Sequence, residues 1–308
     1  MRIALPATSA NLGPAFDAAA LAMNLFITID AAPAADFSIH ATGRDSEICG
    51  AANDEHLILA TYRELLESHS KPVTALVLRI KNDIPIGKGC GSSAAARLAG
   101  IALANHFGRL HWNDAQIITE ASRREHHPDN ASACWLGGLA VARMSAKPAA
   151  GTSETNEPEV QVISIRPKGK WPLLLAIPDD ALSTEEARRV LPAQYSRADT
   201  VANIQNSMLL LASFTQGRPD LLSAALEDRI HQPYRAPLCP LLPALQPLAG
   251  TPGVLGVALS GAGPSVLIFL DPASNPRAAQ KAIAARLTKA GVRAELLLTS
   301  IATRGARG

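Results

Sequence analysis

The chain is 308 residues long, 47% apolar and 4% aromatic, with a formal net charge of +2. At about 100–200 residues per domain, that length allows two domains or one large one, with a core drawn mainly from Ala, Leu, Ile and Val. A near-neutral charge without a dense Lys/Arg tract points away from nucleic acid and membrane surfaces, and no apolar run reaches the roughly 18–20 residues that span a bilayer.

The start, Met1-Arg-Ile-Ala-Leu-Pro6, is too short and broken for a signal peptide. Cys49, Cys90, Cys134 and Cys239 lie far apart with no C-x-x-C pair, which argues against a zinc ribbon or a redox dithiol. Free thiols in a reducing cytoplasm, and hence a soluble cytoplasmic protein, are the expectation.

In chain order, residues 1–5 read as a short strand ended by Pro6, and residues 7–16, small, polar and Gly/Pro-bearing, as a loop. A second strand is expected near 21–29. Helical spacing of Leu57, Ile58, Ala60, Leu65 and Leu66 predicts a helix over 53–68. In residues 74–81 (TALVLRIK), Leu76, Leu78 and Ile80 face one way and Val77 and Arg79 the other, which predicts a strand. Helices are expected at 92–107 and 113–124, and a strand at 136–144. Residues 145–159, rich in Pro, Ser, Thr and Glu, read as an exposed loop or a domain connection. Beyond it come strands at 160–165 and 171–177 and helices at 201–214 and 220–225. Strands at 254–259 and 266–270 flank a glycine turn, Ser260-Gly-Ala-Gly-Pro-Ser265. A helix at 276–290 and a strand at 294–298 complete the reading, with no internal repeat.

The most unusual stretch is residues 84–96 (IPIGKGCGSSAAA), between a strand and a helix. A Walker A loop needs Ser or Thr after Gly-Lys, but Gly89 follows Lys88; a Rossmann fingerprint fails because Ser92 stands at its third glycine. Glycines nonetheless let backbone N–H groups approach a ligand, and a helix N-terminus attracts phosphate. The plain alternative is a turn with a serine N-cap.

Pro85-x-x-x-Gly89-x-Gly91-Ser-Ser-Ala94 resembles the second motif of the GHMP kinases, with Cys90 where Leu is usual. Pro6-Ala-Thr-Ser-Ala-Asn-Leu-Gly-Pro-Ala-Phe-Asp17 resembles their first motif and Leu259-Ser-Gly-Ala-Gly-Pro-Ser265 their third. Three segments narrow the resemblance to the homoserine kinase branch: Glu125-His-His-Pro-Asp-Asn130 with Leu136-Gly-Gly-Leu139; Ser183-Thr-Glu-Glu-Ala-Arg188 with Leu191-Pro192; and Asp228-Arg-Ile-His-Gln-Pro-Tyr-Arg235. Ala15 and His126 stand where the branch has Gly.

The resemblance implies a two-domain α+β GHMP kinase fold. Residues 1–155 would form a ribosomal protein S5 domain 2-like unit carrying the ATP loop, and 156–308 a ferredoxin-like sandwich. It implies ATP-dependent phosphorylation of the L-homoserine hydroxyl to O-phospho-L-homoserine, on the way to threonine, with Mg²⁺ as cofactor and a homodimer as the assembly. A kinase for another small alcohol, or a binding protein that kept the fold without turnover, are the alternatives.

The resemblance places ATP on Pro85, Ile86, Gly87, Lys88, Gly89, Cys90, Gly91, Ser92, Ser93, Ala94 and Ala95, with Gly261 and Gly263 from the third motif. Gly261, Gly263 and Ser265 are expected to close the C-terminal domain on the nucleotide side, or simply to form a tight turn. Homoserine is a zwitterion, and Arg188 and Arg235 occupy the positions for its carboxylate, where arginine's fork binds two oxygens. Each read alone would be a surface arginine in a salt bridge. Asp17 suits the ammonium, with Asn11 and Asn130 as neutral partners; a turn residue and a cap are the plain alternatives for Asn11 and Asp17. Ser93 and Glu125 match the family's Mg²⁺ ligands, and Glu120 is a competitor five residues earlier. His126, His127 and Asp129 hint at a transition metal, but Pro128 and the lack of a fourth ligand favour a pocket-shaping loop. Thr184 is assigned to substrate or phosphate. Asp129 is a base candidate by chemistry; the resemblance favours a reaction without one, with Asn130 orienting the hydroxyl. Cys90 reads as a small apolar filler, or else as a thiol activated by the helix terminus.

Overall fold

The computed structural model describes residues 1–51, 56–145 and 159–306. The first half contains β1 (Arg2–Asn11), β2 (Ala15–Pro33), β3 (Ser38–Gly43), α1 (Ser46–Gly50), α2 (Leu57–Ser68), β4 (Leu76–Asn82), α3 (Ser92–Phe107), α4 (Asp114–Glu125), α5 (Asp129–Leu136), β5 (Leu139–Met144) and β6 (Val160–Ile165). The 19-residue β2 organises the first sheet. It pairs with β1 along one edge; on the other, its second half pairs with β4 and its first half with β5. The order is β3-β4-β2-β5-β6, with β3 parallel to β4 and the other pairs antiparallel.

The second half contains β7 (Pro172–Ile177), α6 (Thr184–Arg189), α7 (Arg197–Gln216), α8 (Leu222–Ala225), α9 (Gln232–Arg235), α10 (Leu241–Leu245), β8 (Val254–Leu259), β9 (Val266–Leu270), α11 (Pro276–Ala290) and β10 (Glu295–Ser300). Its antiparallel sheet runs β10-β7-β9-β8, that is, the fourth, first, third and second of its strands. With helical segments between the first and second strands and between the third and fourth, this is the ferredoxin-like arrangement.

The strand pattern follows burial. In β4, Leu76, Leu78 and Ile80 are buried while Arg79 and Lys81 are exposed, as alternation predicts. β7 and β9 are apolar at nearly every position because both faces of the second sheet are covered. Leu173, Leu175, Leu267 and Phe269 join the main core, whereas Leu174, Ala176, Val266 and Ile268 pack with Ile283 and Leu287 of α11. Gly100 lets α3 lie close to α2; a Cβ there would meet the Ile58 carbonyl oxygen at 2.6 Å. All four cysteines are buried and free.

Three expectations change. Strand β1 does not stop at Pro6, and residues 7–11 are strand rather than loop. Among the described residues β1 pairs only with β2, and the register shifts between Pro6 and Ala7, so proline's missing N–H is tolerated there. Residues Ala7–Asn11 carry small side chains because they are buried, not because they loop. Second, β3, α1, α5, α6, α9 and α10 stand where no strand or helix was expected. Third, β6 hydrogen-bonds to β5, from Val160 with Met144 to Ile165 with Leu139, so the first sheet continues past the division expected after residue 155. That division lies outside the described residues, as do most of the expected 145–159 loop and residues 53–55 of the expected helix, which begins at Leu57.

Candidate active site

The three alternating glycines have left-handed backbone, with φ of 70° at Gly87, 74° at Gly89 and 71° at Gly91. Their surroundings differ. A Cβ on Gly89 would sit 2.2 Å from the Ser260 carbonyl oxygen and 2.6 Å from that of Gly263; one on Gly91 would sit 1.9 Å from Thr8 Oγ1. At Gly87 the nearest neighbour is Ala181 Cβ at 3.5 Å. Gly89 is therefore wedged under the second glycine turn, Gly91 against β1, and Gly87 is open. Hydrogen bonds stitch the three motifs together. Ser260 Oγ donates to Gly89 O (2.7 Å), Asn11 Nδ2 to Gly261 O (2.8 Å), Gly261 N to Ala10 O (3.1 Å) and Thr8 N to Cys90 O (3.0 Å).

Gly91, not a serine, is the N-cap of α3, and Ser92 and Ser93 are its first helical residues. No side chain caps that end, so its backbone N–H groups are available to an anion. Lys88 Nζ donates to the Asp179 carbonyl. Cys90 is fully buried, and burial pushes its thiol up to about 12, so it stays protonated and acts as filler.

Two cavities meet at this loop and share Gly87, Ser92 and Ser93. One, of about 730 Å³, is walled mainly by apolar side chains such as Ile27, Leu57, Ile80, Ile84 and Ile86. The other, of about 120 Å³, is polar and lined by Asn11, Asp17, Glu125, His127, Asp129, Asn130, Thr184, Arg188 and Arg235, with Gly261 and Gly263. The small cavity therefore gathers the residues singled out for substrate, metal and catalysis from both halves of the chain.

Glu125, at the end of α4, accepts a 2.7 Å hydrogen bond from Ser93 Oγ and one of 2.6 Å from Arg97 Nε, both on Oε1. Glu120 is occupied elsewhere, paired with Arg123 at 2.7 Å and Arg124 at 2.6 Å, and does not line the cavity. Asp129, 1% exposed, accepts from Asn130 N (2.6 Å) and lies 2.7 Å from His127 Nδ1 on the same oxygen. Burial opposes charge on His127, but the Asp129 hydrogen bond and the nearby Asp129, Asp17 and Glu125 carboxylates outweigh it and raise its pKa. Asn130 Oδ1 accepts from Thr8 Oγ1 at 2.6 Å, so its amide nitrogen is what it can offer a ligand.

Arg188, on α6, forks onto Asp17 at 3.0 and 2.6 Å. Arg235 is 1% exposed, and its guanidinium carbon lies 5.3 Å from the Phe16 ring centre; that of Arg188 lies 5.4 Å from the same ring. Burial first, then the Arg188 charge, lowers Arg235 to about 10, which leaves it cationic near neutrality. Asn11 Oδ1 accepts the Asp17 N–H at 2.9 Å.

Asp17 joins His127 and Asp129 in a group whose ligand atoms lie within 4.8 Å of one another, a third potential metal ligand that sequence spacing did not suggest. The Arg188 fork already engages both oxygens of Asp17. His126 has φ of 66° as the C-cap of α4, which accounts for a glycine preference at that position. Ala15 pairs with Asn11 beyond a register shift in β1–β2, and its backbone is not left-handed, so no glycine is needed there. Thr8, Phe16 and Arg97 were not singled out from sequence. Thr8 and Phe16 lie inside the first motif, and Arg97 follows Ser93 by one helical turn, which are the signals that could have marked them.

A family model described as the GHMP kinases N terminal domain matches residues 56–138, and one described as GHMP kinases C terminal matches residues 210–290. A homoserine kinase of Solibacter usitatus is 41% identical over 268 residues, covering 87% of this chain and 84% of its own. One from a Synechococcus strain is 37% identical over 300 residues, covering 96% and 94%. The crystal structure of homoserine kinase from Cytophaga hutchinsonii superposes with a TM-score of 0.78 at 22% identity, covering 99% and 96%, and shares the fold. With its glycine loop, third-motif turn and paired arginines converging on one cleft, the chain belongs to the GHMP kinases, in their homoserine kinase branch.

Proposed function

We propose that this chain transfers the γ-phosphoryl group of ATP to the hydroxyl of L-homoserine, giving O-phospho-L-homoserine. The observation that carries this reading is the meeting of two cavities of opposite character at one glycine loop. The larger, apolar one suits a nucleoside, with its phosphates over Gly87–Ser93 and the N-terminus of α3. The smaller has room for a compact zwitterion and offers both charges it needs.

Arg188 and Arg235 take the carboxylate and Asp17 the ammonium; in the structure Arg188 and Asp17 satisfy each other until substrate arrives. A sugar or other neutral alcohol needs no such clamp. Asn11 supports Asp17, and Thr184, at the first position of α6, contacts the substrate or the transferred phosphate. Asn130 donates its amide to the acceptor hydroxyl and orients it for in-line transfer. Asp129 has one oxygen committed to His127 and to the Asn130 N–H, which supports a positioning role over that of a base.

The Ser93 hydroxyl and the Glu125 carboxylate are adjacent hard oxygen donors beside the loop, a set that fits Mg²⁺. Bound there, the ion supplies charge neutralisation for the phosphates, the main need in phosphoryl transfer. The exposed Val201, Ile204 and Met208, spaced along one face of α7, support a homodimer, testable by light scattering after size exclusion. Among the described residues no helix is long and apolar enough to cross a membrane.

The test is ADP production with Mg-ATP and L-homoserine, L-serine, mevalonate or galactose. Turnover with homoserine, sharply weakened in Arg235→Ala through a raised homoserine KM, is the expected result. Turnover with another alcohol overturns the substrate, and no ADP together with retained ATP binding overturns catalysis in favour of a binding protein.

A further inference from the structure

Arg235 can grip a carboxylate only if its guanidinium is aimed, and its surroundings assign that task. Its Nε donates to the Ala187 carbonyl at 2.9 Å. One terminal nitrogen lies 3.1 Å from His231 Nδ1. A guanidinium only donates, so Nδ1 is the bare, accepting nitrogen. The other ring nitrogen, Nε2, lies 2.8 Å from the Gly13 carbonyl, which only accepts, so Nε2 carries the hydrogen. The two bonds together select one neutral tautomer. The imidazole has no solvent exposure and stacks on Phe16 at 5.3 Å, the ring over which both arginines lie. His231 thus links Arg235 to the Gly13–Asp17 segment that carries the ammonium acceptor.

We propose that His231 is a positioning residue for homoserine: its neutral imidazole aims Arg235 at the substrate carboxylate, and a proton on Nδ1 releases that aim, weakening substrate binding in acid. This rests on the carboxylate-clamp reading above. The charged groups facing the imidazole are Arg235 from α9, Asp17 from β2, and Asp228, whose Oδ2 is 3.5 Å from Nε2, while Arg188 from α6 lies over the Phe16 ring on which the imidazole stacks. Asp228 is itself held by the N–H groups of Ile230, His231 and Gln232 at 2.9, 3.0 and 2.6 Å. Burial is the largest influence and lowers the His231 pKa; Asp228 opposes it and Arg235 reinforces it. The imidazole is therefore neutral at physiological pH and titrates on the acid side. Homoserine's own carboxylate and ammonium do not titrate in that range, so an acid limb in its KM belongs to the protein, and the His231→Asn variant separates His231 from His127, which lines the same cavity.

The experiment measures KM for homoserine, KM for ATP and kcat across about pH 5 to 8 for the wild type, His231→Phe and His231→Asn. Phe keeps the stack on Phe16 without an acceptor; Asn keeps an acceptor oxygen near Nδ1 without a titration. The expected wild-type result is a homoserine KM that rises on acidification while the KM for ATP stays flat. His231→Phe raises the homoserine KM about tenfold at neutral pH with kcat within about threefold, and His231→Asn restores most of the affinity but loses the acid rise. An acid rise that persists unchanged in His231→Asn overturns the inference, as does a His231→Phe variant whose KM for ATP and kcat worsen as much as its homoserine KM. Should His231→Phe not fold, the wild-type and His231→Asn profiles decide alone. An Arg235→Ala variant separates the two readings. If it leaves the homoserine KM unchanged, the clamp itself falls; if it raises that KM while His231→Asn behaves as wild type, only the inference falls.

Discussion

Gly87, Gly89 and Gly91 look equivalent in a one-dimensional motif, and the structure predicts that they are not. Consider Gly87→Ala and Gly89→Ala. Both positions have φ near +70°, so both variants bear a left-handed penalty of about 1 kcal/mol. At Gly87 the new methyl meets only Ala181 Cβ, at 3.5 Å. At Gly89 it would lie 2.2 Å from the Ser260 carbonyl oxygen and 2.6 Å from that of Gly263, both backbone atoms. The turn must therefore retreat by roughly 1 Å, which strains the Ser260 Oγ to Gly89 O bond and the Gly263 N to Ser260 O bond, each worth about 1 kcal/mol or more. The total for Gly89→Ala is about 3–4 kcal/mol. At roughly 2–4 °C per kcal/mol for a chain somewhat shorter than this one, Tm should fall by about 6–16 °C in Gly89→Ala and by about 2–4 °C in Gly87→Ala. Differential scanning calorimetry on both variants checks this. Equal Tm losses would refute the claim that Gly89 is set by close backbone approach.

Other outcomes follow from the same geometry. Arg188→Ala should raise the homoserine KM by about a hundredfold or more with little change in the KM for ATP, since it removes the bidentate contact proposed for the substrate carboxylate; steady-state kinetics in both substrates check it. Glu125→Gln should lower kcat by about a hundredfold or more and raise the Mg²⁺ concentration for half-activity, whereas Glu120→Gln, away from the cavity, should affect stability and not the Mg²⁺ dependence. Asn130→Ala should lower kcat more than it raises KM; unchanged turnover removes Asn130 from catalysis, and loss of turnover in Asp129→Asn with substrate binding intact would restore a base mechanism. His127 has a raised folded pKa, so its contribution to stability is full below its unfolded value of about 6.5 and is lost as pH rises through the folded value. The Tm gap between wild type and His127→Gln should therefore be widest in mild acid and close towards alkaline pH; a gap that widens with pH would contradict the Asp129 pairing.

Much of the framework was legible without tertiary information. The bounds of α3, β6, β8, β9 and α11 match the sequence expectation, because period-2 and helical spacing and the Gly/Pro boundaries are local properties. The glycine loop was likewise readable from its residue types, whereas the paired arginines were marked only by the resemblance of their motifs, since each read alone is a surface arginine. Other features belong to the folded chain alone. Residues 7–11 look like a loop in sequence and are strand because β2 supplies a partner edge and burial selects small side chains. Glu125 was preferred over Glu120 only by its motif; in the folded chain Arg123 and Arg124 claim Glu120, and Ser93 and Arg97, more than two dozen residues away, claim Glu125. The separate duties of the three glycines, the fork of Arg188 on Asp17 across 171 residues, and the single tautomer of His231 all depend on long-range packing. Spacing along a chain states which groups are available; only the closure of distant segments upon one another determines which donor finds which acceptor, and hence which of them remain for the substrate.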